Sequence, residues 1–217
     1  DARPDVILAA YSGITQEEYD ILAQIAPTVA YPTAPWVITW REQVLYNAMG
    51  MGMKAEGEKL IEDTERLIAE KAGAYPALKG AKAAFVVFSP EDLSQFYIYS
   101  PTDPRAAFLI EELGMAYPQA VLDAMDPDSF YLLVSAENSD MIHEADILVM
   151  YGDDSLLEAL RADPLLGKIP AVQRGSVVLI GDNTPLAAAG NPNPLSIAYT
   201  IDEYLGLIGE ALEKVHE

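Results

Sequence analysis

Cysteine is absent from the 217 residues. That excludes thiolate nucleophiles, Cys-ligated zinc and iron–sulfur clusters, and it leaves no disulfide pattern to indicate a compartment. Histidine is almost absent too, with only His143 and His216. Two imidazoles are too few for a histidine-rich zinc or manganese cage, and MIHEADI carries no second histidine at i+4, so the zincin signature fails. Basic residues are scarce, 13 against 34 acidic ones, for a net charge of −21. This argues against nucleic acid as a partner, because affinity for it comes mainly from Lys and Arg neutralising phosphates; the acidity itself suits solubility. No apolar run approaches the roughly 18 residues that would span a membrane. The opening DARPDVIL has no basic region followed by a long apolar stretch, so it is not a signal peptide. It reads as the end of a turn and the start of a buried strand, as in a fragment or a trimmed product. There is no G-x-S-x-G elbow, P-loop or G-x-G-x-x-G, and nothing pairs a nucleophile with a base.

What is present is organised around residues 53–72, MKAEGEKLIEDTERLIAEKA. Met53, Gly57, Leu60, Ile61, Thr64, Leu67, Ile68 and Ala72 form a stripe of helical spacing. On the other face Lys59 can reach Asp63, and Glu62 can reach Arg66. Lys71 suits the negative end of the helix dipole, Gly73 a position just past the end, and Tyr75-Pro76 a stop. Twenty residues of helix would span roughly 30 Å. Such a helix is either an ordinary surface helix of one α/β domain or a rigid strut joining two lobes.

Strands and helices alternate on both sides of it. Strands are expected at Asp5–Ala10, Thr28–Tyr31, Ala81–Phe88, Phe130–Val134, Asp146–Tyr151 and Ser176–Ile180. Helices are expected at Gln16–Ile25 (Thr15 and Glu18 have capping-box spacing), Val37–Met49, Arg105–Leu113, Ser155–Arg161 and Leu195–Val215, with Trp40, Val44, Leu45 and Ala48 on one face of the second. Residues 89–104 read as a long loop, with at most a short strand at Phe96–Tyr99. This alternation predicts βα units in mostly parallel sheets. Ligands of such sheets sit beyond the strand carboxyl ends, here Tyr11-Ser12, Ser89-Pro90, Ser135-Ala136-Glu137, Tyr151-Gly152-Asp153 and Gly181-Asp182-Asn183.

Asp153 and Asp154 follow a strong strand. They could hold Mg²⁺, or one of them could cap the next helix. Trp36, Trp40 and Arg41 cluster at a helix start, and Tyr97, Tyr99 and Arg105 in the loop after a strand. Aromatic faces with a few arginines suit a large, delocalised, anionic or metal-chelated ligand; they equally suit packing in a core.

Three stretches carry a resemblance: YSGITQEEYDILAQIAPTVAYP from Tyr11, WVITWREQVLYNAMG from Trp36, and DPLLGKIPAVQRGSVV from Asp163, continuing to Asn193-Pro194-Leu195-Ser196. Over essentially its whole length the chain resembles the iron-siderophore-type substrate-binding proteins of bacterial ABC importers, the class with a helical backbone. The resemblance implies two doubly wound α/β lobes joined by a single long rigid helix, with a first lobe over 1–52, the helix over 53–75 and a second lobe over 76–217. Such proteins carry further strands and helices before the segment matching DVILAAYSG. The first lobe is therefore expected to be truncated, to expose sheet edge, and to favour self-association.

The implied function is capture of a ferric siderophore outside the cytoplasm, periplasmic or lipid-anchored, and delivery to an ABC permease, with no catalysis and no cofactor. Trp36 and Trp40 would form the first-lobe wall, and Tyr97, Tyr99 and Arg105 the second. Arg41 is a further candidate for the charge of the chelate, and Ser135, Glu137 and Asn183 are further candidates at loop starts facing the cleft. Glu111 and Glu112 are candidates for docking on permease arginines. Few arginines near the aromatics lean toward hydroxamates. The alternatives are haem or a corrinoid as cargo, with Tyr97 or Tyr99 as axial ligand, and a Mg²⁺-dependent α/β enzyme using Asp153 and Asp154.

Overall fold

The computed structural model describes residues 2–188 and 190–215; His216 lies outside them. The chain forms two unequal α/β parts. In the first, β1 (Ile7–Ala9) and β2 (Thr28–Ala30) pair in parallel, joined by α1 (Gln16–Ala23). The capping box at Thr15 and Glu18 forms as its spacing requires. A second box, Thr39 with Glu42, starts α2 (Trp40–Gly50).

The stripe at 53–72 becomes one unbroken helix, α3 (Lys54–Ala72), of 19 residues or about 28 Å. Its Gly57, Thr64 and Ile68 are buried, and it packs on α2 and on the closing helix α8 (Pro194–Glu213). It therefore touches elements from both ends of the chain. Lys59 bonds Asp63 as expected (2.6 Å). Arg66 also turns to Asp63 (3.2 Å) rather than to Glu62, so one carboxylate shares two cations. These pairs are exposed and screened by water, so they add little to stability.

The second part is a five-stranded sheet in the order β5-β4-β3-β6-β7. Its strands are β3 (Ala83–Ser89), β4 (Asp92–Tyr99), β5 (Tyr131–Ser135), β6 (Ile147–Tyr151) and β7 (Val177–Ile180). The expectation of mostly parallel sheets holds except at one strand. β3, β6 and β7 pair in parallel, but β4 is antiparallel to both neighbours. Residues 92–99 are thus a full strand in a hairpin with β3, not a loop. Its half-polar sequence, DLSQFYIY, reflects a strand covered mainly on one face. Because β4 alone runs backwards, the carboxyl ends of β3, β5, β6 and β7 all lie at one edge of the sheet.

Helices cover both faces. On one side lie α8 and the π-turn Phe108–Glu112, which continues the short α4 (Pro104–Ala107). On the other lie α5 (Gln119–Ala124), α6 (Asp154–Ala162) and α7 (Pro170–Arg174). Asp153 caps α6, accepting from the backbone N–H of Ser155 at 2.9 Å, so this carboxylate serves the helix. No described helix is long and apolar enough to cross a membrane. A groove of about 620 Å³ lies between α2, α3 and α8, lined by Ala48, Met51, Met53, Leu60, Leu67 and Leu195 among others.

Candidate ligand-binding cleft

One face of the sheet is only partly covered. Along it Phe85, Tyr99 and Tyr131 occupy one row, with Val87 and Tyr97 in the next. Tyr97 is 40% exposed and meets Tyr131 edge-on at 5.3 Å between centroids. Val87, Tyr97, Tyr99, Phe130 and Tyr131 line a hollow of about 280 Å³.

Arg105 lies beside this hollow, in the first turn of α4. Its guanidinium carbon stands 4.1 Å from the centroid of the Tyr99 ring, its Nε donates to the Tyr151 hydroxyl at 3.3 Å, and its Nη1 donates to Asp103 at 2.7 Å. Several local bonds fix this placement. Asp103 caps α4 by accepting from the Arg105 backbone N–H at 2.9 Å, and its own N–H donates to the Ser100 carbonyl. The buried Tyr117 hydroxyl donates to the Tyr99 carbonyl at 2.8 Å and accepts from the Phe85 N–H at 3.1 Å, locking β4 to β3 where Tyr99 emerges. A side chain at Gly190 would come within 2.2 Å of the Tyr151 hydroxyl oxygen, so only glycine lets that loop lie over the phenol.

The first part supplies Tyr11 and Trp36. Their rings meet edge-on at 5.1 Å. Trp36 is 37% exposed and sits in the left-handed region, with φ of 66°. A non-glycine residue rarely adopts that conformation, and such strain concentrates at functional sites. A Cβ at Gly13 would stand 2.6 Å from the Trp36 indole nitrogen, so this glycine is what admits the ring. Tyr11 is close enough to Asp103 and Arg105 to feel their charges.

The electrostatics follow from burial. Tyr11 is pushed up to about 12, first by burial and then by the Asp103 carboxylate. Burial raises Tyr99 and Tyr151 as well, so all three stay neutral phenols at pH 7. Burial lifts Asp103 to about 6, against the opposing pull of Arg105. For Arg105, burial favours loss of the proton, but the Asp103 carboxylate outweighs it, and the guanidinium stays charged.

The other expected residues are placed differently. Trp40 is 3% exposed and belongs to the core with Ile68 and Phe108, so it is not an open wall. Its indole N–H donates to Glu112 at 2.8 Å. Arg41 stacks on Trp40, forms a two-pronged pair with Glu112, and bonds Glu65 at 2.5 Å. Its charge is therefore committed within the protein, and the bond to Glu112 is the main reason its pKa is raised. Only 5% of the Glu112 side chain is exposed, so this carboxylate is a brace, not a free docking group. Glu111 is exposed; burial, then Glu112, raises its pKa. Ser135 and Asn183 lie at the same sheet edge as Tyr151, with Glu137 just after Ser135; all three are exposed. None of the three bonds the Arg105 cluster among the described residues. Tyr11, Asp103 and Tyr151 are the cleft residues that sequence reasoning passed over.

A family profile described as periplasmic binding protein matches residues 1–184. Among solved structures, the iron uptake ABC transporter substrate-binding protein PiaA from Streptococcus pneumoniae TIGR4 is 46% identical, with a TM-score of 0.91 over 98% of this chain and 73% of that one. The same protein in complex with ferrichrome gives a TM-score of 0.93, covering 98% of this chain and 71% of that one. FhuD2 from Staphylococcus aureus with bound ferrioxamine B is 16% identical, with a TM-score of 0.69 over 96% of this chain and 78% of that one, a likeness of fold alone. No curated protein sequence gives a match.

Proposed function

The chain belongs to the periplasmic binding protein family, and on that premise we propose that it captures a ferric siderophore outside the cytoplasm and delivers it to an ABC importer permease. The observation that carries this reading is the Arg105 cluster, a guanidinium laid on Tyr99 and bonded to Tyr151, with Tyr11 near enough for its charge to act and Trp36 packed edge-on against Tyr11. A ferric chelate presents oxygen acceptors around the metal and apolar carbon outside it. The guanidinium can donate to the oxygens, and the aromatic faces can cover the carbon. The 46% identical PiaA structure with ferrichrome supports the same ligand class. The iron is cargo held by its own chelator, and the protein does no chemistry on it.

In this reading residues 1–52 and 76–217 are the lobes, and α3, within residues 53–75, is the rigid brace between them. The buried bond of Trp40 and Arg41 to Glu112 acts as a second tie. Two ties restrict closure to small movements, so binding orders the cleft without a large hinge. Trp36, Tyr97, Tyr99 and Arg105 form the ligand-facing set, joined by Tyr11 and Tyr151. Ser135, Glu137 and Asn183 stand at the rim. Glu111, exposed beside the occupied Glu112, is the carboxylate left for a permease arginine on that turn.

The test is a titration of intrinsic tryptophan fluorescence with ferrichrome, iron-free ferrichrome, haemin and Mg²⁺ in turn. Saturable quenching by ferrichrome is expected, with the iron-free form weaker. Saturation by haemin alone, with an absorption band of tyrosine-ligated haem, would replace the reading by haem transport. A response to Mg²⁺ alone would favour the enzyme reading.

A further inference from the structure

Asp103 is an expensive residue for the work its contacts do. It is fully buried, and taking a carboxylate out of water costs several kcal/mol. Its two local tasks are to cap α4 and to accept one bond from Arg105. Asn or Ser would cap as well. Arg105 is already held by the face of Tyr99 and the hydroxyl of Tyr151. What a neutral residue would not supply is a negative charge 2.7 Å from the guanidinium.

That charge decides the net charge of the cleft. Arg41, on the first part, is balanced by Glu112 and Glu65. Asp182 lies close enough to Tyr151 to act on it. With Asp103 ionised, the cleft presents donors and aromatic faces but no net positive charge, inside a chain of net charge −21. The ferric siderophores divide by charge. Three singly charged hydroxamates on Fe³⁺ sum to zero, whereas three doubly charged catecholates leave −3.

We propose that Asp103 is a specificity-determining residue: by cancelling Arg105 from beneath, without touching the ligand, it tunes the cleft to neutral ferric chelates and against anionic ones. This rests on the ferric-siderophore reading above. It also explains why a guanidinium meant to donate hydrogen bonds is not left as an attractive charge. The donor geometry is kept and the long-range attraction is removed.

The experiment compares ferrichrome, as the neutral probe, with the trianionic ferric tris-catecholate of enterobactin, by calorimetric titration at low ionic strength. Wild type is expected to prefer the neutral chelate by at least tenfold. Asp103→Asn, which keeps the cap and the shape, is expected to shift the ratio toward the anionic chelate by more than about tenfold. That is the size of one unit charge acting on −3 at about 8 Å with the full dielectric of water. Its affinity for ferrichrome should change by less than about threefold, being free of net charge. Asp103→Ser is the second variant, retaining a capping hydroxyl should the amide disturb the fold. Wild type binding both probes equally overturns the inference, as does either folded variant with an unchanged ratio. Wild type binding neither chelate would instead refute the ferric-siderophore reading on which the inference rests.

Discussion

Trp40→Ala separates a packed residue from a ligand wall. Trp40 is buried among the residues that join the first helices to the second sheet, and its indole N–H reaches Glu112 at 2.8 Å. Truncation of a buried Trp costs about 3–5 kcal/mol through lost burial and the cavity left behind. The bond to a carboxylate adds to this, since hydrogen bonds to charged groups contribute about 1.5–3 kcal/mol. For a chain of this size 1 kcal/mol moves the thermal midpoint by about 2–4 °C, so the two losses together predict a fall of roughly 9–32 °C. Trp40→Phe keeps most of the ring and loses the N–H, so it should fall by about 3–12 °C. Circular dichroism gives the midpoints. Trp36, the other tryptophan, reports ferrichrome binding in the folded fraction, which should retain affinity. A midpoint unchanged within a degree or two, together with lost ferrichrome binding, would refute the core assignment and return Trp40 to the cleft wall.

Trp36→Ala should do the reverse, weakening ferrichrome binding by calorimetry at least tenfold while the midpoint moves little; intact affinity would remove Trp36 from the cleft. Glu112→Gln keeps the shape but drops the charge opposite Arg41, and should cost about 1–3 kcal/mol in denaturant unfolding; no loss would mean that Glu65 alone holds Arg41. Asp103 titrates at about 6 in the fold against an ordinary 3.8. The folded chain therefore binds that proton more tightly, and the group favours folding below about pH 4 and loses this contribution as pH rises through about 6. Wild type should lose up to roughly 3 kcal/mol relative to Asp103→Asn between about pH 4 and pH 7, and a stability difference flat across that range would contradict the burial argument. The apolar α2–α3–α8 groove, with Met51, Met53, Leu60 and Leu195 exposed along it, predicts concentration-dependent self-association of this chain; sedimentation showing a monomer at all concentrations would count against it.

Elements with strong local signals were legible from sequence. The capping box at Thr15, the amphipathic stripe of α3, the apolar run of β6 and the proline that opens α8 each state their structure within a few residues. Short elements were not. α5 and α7 have six and five residues, too few to show a helical period, although Pro170 and Gly175 bracket α7 as start and stop signals do. β4 hid behind its polar outer face. Trp40 carries a core signal in the sequence as well, since its spacing to Val44 and Ala48 puts it on the inward face of α2. Tyr11 and Tyr151 stand at strand carboxyl ends, where ligands of such sheets gather, but position alone gave no reason to prefer them over the tryptophans. Asp103 could not have been found: nothing in PTDPR says that its carboxylate is buried under the next arginine.

The π-turn at Phe108–Glu112 bears on how this chain can drift. Its Leu113 N–H reaches back five residues to the Phe108 carbonyl, at 3.2 Å. The turn therefore holds one residue more than an α-turn would. Removing a single residue between Phe108 and Glu111 would let a regular α-turn form. Leu113 would still close on Phe108, and Glu112, the residue before it, would nearly keep its place against Arg41 and Trp40, because the turn gives up its extra residue. Arg105, lying upstream, would keep its place on Tyr99. Lost from a regular stretch of helix instead, one residue would rotate everything beyond it by about 100°. Among descendants of this sequence, a one-residue deletion should be tolerated better at this turn than within a regular helix such as α3.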